Sequence, residues 1–225
     1  MAQPLIFIGI EAPRSPRRPL PGLEPEYSEL TSDGALVERC LRVALELTDV
    51  EAVTVISGEP GQDVFDVVER YSALATDLAT WMTRVAGRAG NAEANDAVVY
   101  LRADVVLRDM SVLAKALDVL RALPDIARVE PAYRPLRQPP AGTFSLERAP
   151  DKRLTPRAFV PPRGTLGMPC PAFEIHRLRR FRQSGLGAAV AGDSAFVWID
   201  EEDFVILESP LDGLRAMMLL EESRL

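Results

Sequence analysis

Two stretches of this chain combine residue types with chemical potential. Residues 98–108 read VVYLRADVVLR, an apolar strand that delivers Asp104 and Arg108 into the loop beyond it. A carboxylate at the carboxyl end of a buried parallel strand sits where open α/β sheets place ligand and metal chemistry. The second stretch, residues 11–22 (EAPRSPRRPLPG), carries Arg14, Ser15, Arg17 and Arg18 in a loop that its prolines keep from becoming helix or strand. Arginine forks bind phosphate oxygens through paired hydrogen bonds, and turn amides add donors. An irregular basic loop leaving a strand therefore points to an anion site, such as one for a triphosphate.

The elements needed to position these residues are legible as alternating periodicities. Residues 4–10 (PLIFIGI) predict a first buried strand, 53–57 a second, 98–101 a third, 128–133 a fourth and 195–199 a fifth. Between them, helices are predicted over 35–47 (capped by Ser32 or Asp33), 63–74, 77–89, 110–123, 173–181 and 210–222. Strand and helix alternating with short connections imply right-handed crossovers and a mainly parallel sheet. The fold class expected is three-layer α/β/α, Rossmann-like, in one domain of 225 residues. Residues 134–171 interrupt the pattern with nine prolines and little periodicity. That is too long for an ordinary connection, and it reads as a functional flap, a partner-binding arm or a partly disordered segment.

Composition excludes several functions. A formal charge of -7 opposes general nucleic-acid binding, which needs a basic surface. Cys40 and Cys170 form neither a CxxC pair nor a metal-ligand spacing and are expected to be buried thiols. Residues 1–10 are too short for a membrane helix and lack a basic leader, so no membrane association and a cytoplasmic location are expected. The lone His176, set among arginines, is expected on a surface helix. There is no GxSxG, GxGxxG or Walker A string.

Four segments, in order, resemble the cytidylyltransferases that activate acidic sugars, the acylneuraminate and CMP-sugar synthetases. Residues 72–80 (SALATDLAT) contain their LATD stretch, and 101–108 are similar to their strand-and-loop L-Q-P-T-S-P-L-R. Residues 197–204 (VWIDEEDF) resemble their late DIDTEEDF, and 4–23 stand where they carry the nucleotide loop A-R-x-G-S-K-x-L-P-G-K. The resemblance implies the nucleotide-diphospho-sugar transferase fold, with a nucleotide half over 1–125 and an acceptor half over 126–225. It implies a nucleotide-binding set of Ile10, Glu11, Ala12, Ser15, Asp77 and Arg102. Arg14, Arg17, Arg18 and Asp104 would be the catalytic charges, and Asp104 and Asp200 would hold Mg²⁺. CTP or another NTP, a sugar or sugar-acid acceptor, and a homodimer follow from the same resemblance. The chain differs from the family in carrying Arg102 for glutamine, Trp198 for the first aspartate of the late pair, and Leu23 for lysine.

Three functions follow: a divergent nucleotidyltransferase, a catalytically degenerate homologue that keeps the fold and binds nucleotide, and an interaction protein whose arm docks a partner. The first is preferred, because the strand-end Asp104 is retained.

Overall fold

The apolar runs pair as a sheet in which β1 (Ile6–Glu11) is central. It lies parallel to β2 (Val50–Ile56) on one edge and to β4 (Ala97–Arg102) on the other. β3 (Ala73–Ala75) extends the sheet beyond β2. Past β4 come β10 (Phe173–Arg177), β6 (Arg128–Tyr133) and β11 (Ser194–Ile199). Along β3-β2-β1-β4-β10-β6-β11, β10 alone runs against the rest. The strand order reverses between β1 and β4, which opens a crevice at their carboxyl ends. The computed structural model describes residues 5–13, 32–71, 73–88, 96–135, 144–148, 154–158, 165–184 and 193–222.

Helices cover both faces, as the mainly parallel sheet requires. α1 (Asp33–Glu46) buries Leu36, Val37, Cys40, Leu41 and Ala44 on one stripe, and its first turn is capped by the Ser32 hydroxyl, which accepts from the Ala35 amide at 3.2 Å. This stripe joins the larger core with Ile6, Ile8, Ile10, Val99 and Leu101. α2 (Gln62–Tyr71) packs beside α1 and adds Val64 and Val67. α4 (Val112–Ala122) adds Leu113, Ala116 and Leu120, and α6 (Pro210–Glu222) adds Ala216 and Leu219. The opposite face is covered by α3 (Leu78–Arg88) and α5 (Leu178–Ser184), where Trp81 and Phe181 pack on Phe7, Val98 and Tyr100.

Two contacts hold these layers in register. Trp81, 1% exposed, presses its indole on Gly9 of β1, so closely that a Cβ there would lie 2.5 Å from the ring. Arg177, at the end of β10, turns into the C-terminal end of α4. Its guanidinium donates to the carbonyls of Ile126 at 2.7 Å and Leu123 at 3.0 Å, and to that of Leu120, carbonyls the helix end leaves without intrahelical donors.

Several expectations are corrected. Residues 173–181 form β10 followed by the short α5, because Phe173 and Ile175 alternate into the core while Glu174 and His176 point the other way. His176 is accordingly buried, at 2% exposure, 3.0 Å from Glu174 and edge-on to Phe181. Residues 73 and 74, expected to end a helix, belong to β3. Residues 105–107 form a further strand, β5 (Val105–Leu107), paired antiparallel with β12 (Phe204–Ile206). The acidic stretch at 200–203 leads through a 3-10 turn (Glu201–Asp203) into β12.

The proline-rich stretch also holds strands. β7 (Phe144–Arg148), β8 (Leu154–Ala158) and β9 (Thr165–Pro169) form an antiparallel arm, and β9 joins the C-terminal half of β6. Pro131 is tolerated within β6 because it faces the break between β9 and β10, where its carbonyl accepts from the Cys170 amide at 2.9 Å.

Two substitutions test this packing. Gly9→Ala should lower stability by about 1–3 kcal/mol through overpacking against Trp81. Arg177→Met should cost about 3 kcal/mol by leaving buried carbonyls unpaired, or roughly 9 °C of melting temperature for a chain of this length. Thermal denaturation of each variant beside the parent checks both.

Candidate functional site

A cleft of about 350 Å³ opens at the carboxyl ends of β1, β2 and β3, lined by residues 11–13, 56–59 and 76–78. Backbone bonds carry the ladder past the strand ends and set its walls. The Ala12 amide donates to Ile56 and the Ser57 amide to Ala75, both at 3.0 Å, and the Ala103 amide donates to Glu11 at 2.9 Å. The walls bring together Glu11, Glu59 and Asp77 with the apolar Ala12, Pro13, Ile56 and Leu78. Among the described lining residues there is no cation. Such a surface accepts hydrogen bonds from amino and hydroxyl groups and repels phosphate.

Of the nucleotide-binding set that the resemblance implies, Glu11, Ala12 and Asp77 line this cleft. Ile10 does not, because its side chain is fully buried in the larger core and its backbone is paired on both edges. Arg14, Ser15, Arg17 and Arg18 lie outside the described residues. Ser57, Gly58, Glu59 and Thr76 were not singled out from the sequence. The turn that follows the second strand at Ser57–Gly58 was the available signal for the first three.

Asp77 is engaged with its own helix. Its carboxylate accepts from the Thr80 amide at 2.7 Å, the Thr80 hydroxyl at 2.8 Å and the Thr76 hydroxyl at 3.1 Å, capping α3. These bonds, those from Thr80 foremost, hold its carboxyl below the usual aspartate range. The LATD string thus encodes a helix start, whatever else it does.

Beside the cleft, Arg102 pairs in register with Glu11 across β4 and β1, and the Tyr100 hydroxyl donates to the Glu11 carboxylate. Arg102 reaches two residues along its own chain and forks onto Asp104, Nε to Oδ1 at 3.0 Å and Nη2 to Oδ2 at 2.7 Å. Backbone bonds fix both partners: the Arg102 amide donates to Ala172 and the Leu207 amide to the Asp104 carbonyl, each at 2.9 Å. The bond to Asp104 is the main reason the Arg102 pKa is raised. Burial pushes the nearby Cys40 thiol up to about 11, with Asp104 adding to the rise and Arg39 opposing it. Cys40 therefore stays protonated and is no nucleophile.

The donor set at Asp104 does not fit a magnesium ion. Mg²⁺ demands carboxylate oxygens at close range in an octahedral shell, and both oxygens of Asp104 already face guanidinium nitrogens. Asp200, the expected second ligand, is exposed and precedes the 3-10 turn, beyond the end of β11, which lies three strands away from β4 in the sheet. Among the described residues no group of three or more His, Cys, Asp or Glu side chains is placed to hold a metal. Asp203 instead pairs with Arg108 at 3.2 Å and accepts its amide at 2.8 Å, closing the β5–β12 ribbon. Trp198 is half-buried in a small cluster with Ala132 and Phe196, with the Arg134 guanidinium 5.2 Å from its ring centre.

No family model and no curated protein sequence matches the chain. Solved structures do. The structure of CMP:2-keto-3-deoxy-manno-octonic acid synthetase complexed with CTP aligns over 98% of this chain and 100% of its own, at TM-score 0.58 and 14% identity. A 4-diphosphocytidyl-2C-methyl-D-erythritol synthase covers 97% of this chain and 100% of its own, at TM-score 0.61 and 16% identity. The synthase of that name from Anaerococcus prevotii covers 97% and 96%, at 0.57 and 13%. The chain shares with these structures the three-layer, Rossmann-like fold of a mainly parallel sheet flanked by helices. Among the described residues no helix is long and apolar enough to cross a membrane.

The Asp77 cap gives a pH-dependent prediction. A carboxyl whose folded pKa is depressed contributes stability above its unfolded pKa, about 3.9, and loses it as pH falls through the lower folded value. Asp77→Ala should melt below the parent at pH 7, and the difference should close as pH drops through that window; melting curves across acid pH read it directly.

Proposed function

We propose that this chain is a nucleotidyltransferase of the cytidylyltransferase kind, transferring a nucleotide from CTP or another nucleoside triphosphate to a sugar or sugar-acid acceptor. An acceptor oxygen attacks the α-phosphorus, the bond to the bridging oxygen breaks, and pyrophosphate leaves. The observation that carries this reading is the cleft at the carboxyl ends of β1, β2 and β3, in a fold shared along almost the whole chain with a synthetase complexed with CTP.

The electrostatics of the cleft orient the ligand. Glu11, Glu59 and Asp77 suit ribose hydroxyls and a base amino group, so the nucleoside end enters and the phosphates stay outside. Pro13 lines the cleft and the chain continues from it into Arg14, Ser15, Arg17 and Arg18, the three charges and one hydroxyl this reading assigns to the triphosphate. Arg102 stands between that mouth and the second half of the sheet, from which the acceptor side would be built. A homodimer belongs to the same reading.

A second reading, a homologue that binds nucleotide without turning it over, is favoured by the Arg102 fork on the strand-end carboxylate. Binding separates both readings from a pure interaction protein. Ligand that binds only the native state raises its melting temperature by mass action, so CTP, ATP, GTP and UTP are tested in turn, and the absence of a shift with every one rejects both. Pyrophosphate release across a panel of sugar acids and sugar phosphates then divides the readings: release supports transfer, and binding without release supports the degenerate homologue.

A further inference from the structure

Arg102 and Asp104 are built as a unit. Their side chains are 32% and 21% exposed, and their backbones are tied to Ala172, just before β10, and to Leu207, just after β12. The fork is thus set by the sheet and by the β5–β12 ribbon rather than by chance contact of two surface side chains. It uses Nε and one Nη2 hydrogen of Arg102, leaving three of the five guanidinium N–H groups for a ligand. The pair lies next to Glu11 at the crevice, where the excess of carboxylates would otherwise repel a polyphosphate.

We propose that Arg102, braced by Asp104, takes the place beside the strand-end carboxylate that the sequence resemblance gives to a magnesium ion, so that nucleotide binding here requires no divalent metal. This rests on the cleft being a nucleotide site. A guanidinium supplies what the ion would supply at that point: fixed positive charge facing phosphate oxygens, with planar donors matched to them. It also keeps the ion away, since a metal on either Asp104 oxygen must displace a charged donor at 2.7 or 3.0 Å and then face its repulsion. Asp104 is a positioning residue in this arrangement; it aims Arg102. A neutral side chain at position 102 would leave the carboxylate open to a cation.

The test measures the affinity of the full chain for CTP, with ATP, GTP and UTP in parallel, in EDTA and in excess Mg²⁺. It also measures binding of Mn²⁺ alone by electron paramagnetic resonance. The parent is expected to bind its nucleotide within about twofold equally in the two buffers, and to bind no Mn²⁺. Arg102→Gln is expected to lose about tenfold or more in EDTA, the scale of one charge-assisted hydrogen bond, and to recover in Mg²⁺ while gaining a Mn²⁺ signal. Arg102→Lys, which keeps charge without the fork, should fall between the two in EDTA. Parent binding that appears only with Mg²⁺, or a parent Mn²⁺ signal that Asp104→Asn removes, overturns the inference and leaves the nucleotide site standing. Failure to bind any nucleotide in either buffer overturns both.

Discussion

The position of β1 constrains everything else in this molecule. It has parallel neighbours on both edges and apolar layers on both faces, so none of its side chains before Glu11 reaches solvent. A strand satisfied on every side must hand the chain out at its carboxyl end, and the crossovers that lead to β2 through α1 and to β4 through α3 lie on opposite faces of the sheet. The crevice is a topological necessity of that arrangement, and Glu11 stands in it because it is the first residue β1 no longer buries. Gly9 belongs to the same constraint: the indole of Trp81 approaches β1 where a side chain is missing, so α3 sits low on the sheet. The Asp77 cap at its start then falls beside Glu11.

The carboxylates around the crevice differ in how much of their charge is already used. Asp77 is spent on amide and hydroxyl donors, Asp104 on a guanidinium, and Glu11 on a phenol hydroxyl. Each is thereby held in one orientation, which costs little when a ligand arrives because no side-chain entropy is left to lose. The cluster is preorganised by ordinary structural bonds, the same bonds that fix the start of α3 and the end of β4.

The sequence disclosed most of what local periodicity controls. Strands β1, β2, β4 and β6 and the helices between them came through because their apolar residues recur with the period of their own element; β6 and α6 matched to the residue. What failed was non-local. β10 carries only Phe173 and Ile175 as a period-two signal inside an arginine-rich string, and it is a strand because β4 and β6 flank it. β7, β8 and β9 contain Pro156 and Pro169 at positions the pairing tolerates, which no single-strand pattern displays. In the site, Asp104 was legible as a strand-end carboxylate, and Glu11 entered only through the resemblance. The commitment of Asp104 to Arg102 was not legible, because a spacing of two along an extended strand says only that the residues share a face.

The junction of β9 and β10 gives the arm a second role. The two strands occupy successive halves of one edge of β6, with β10 opposite Arg128 and Val129 and β9 opposite Ala132 and Tyr133. Were the arm cut away, the second half of that edge would be left with open amides and carbonyls in the middle of a sheet, the kind of template on which chains stack into aggregates. The arm therefore acts as an edge guard: whatever it gains in contact with a ligand or a partner, its prolines and charges also keep the sheet from recruiting another molecule of its own kind.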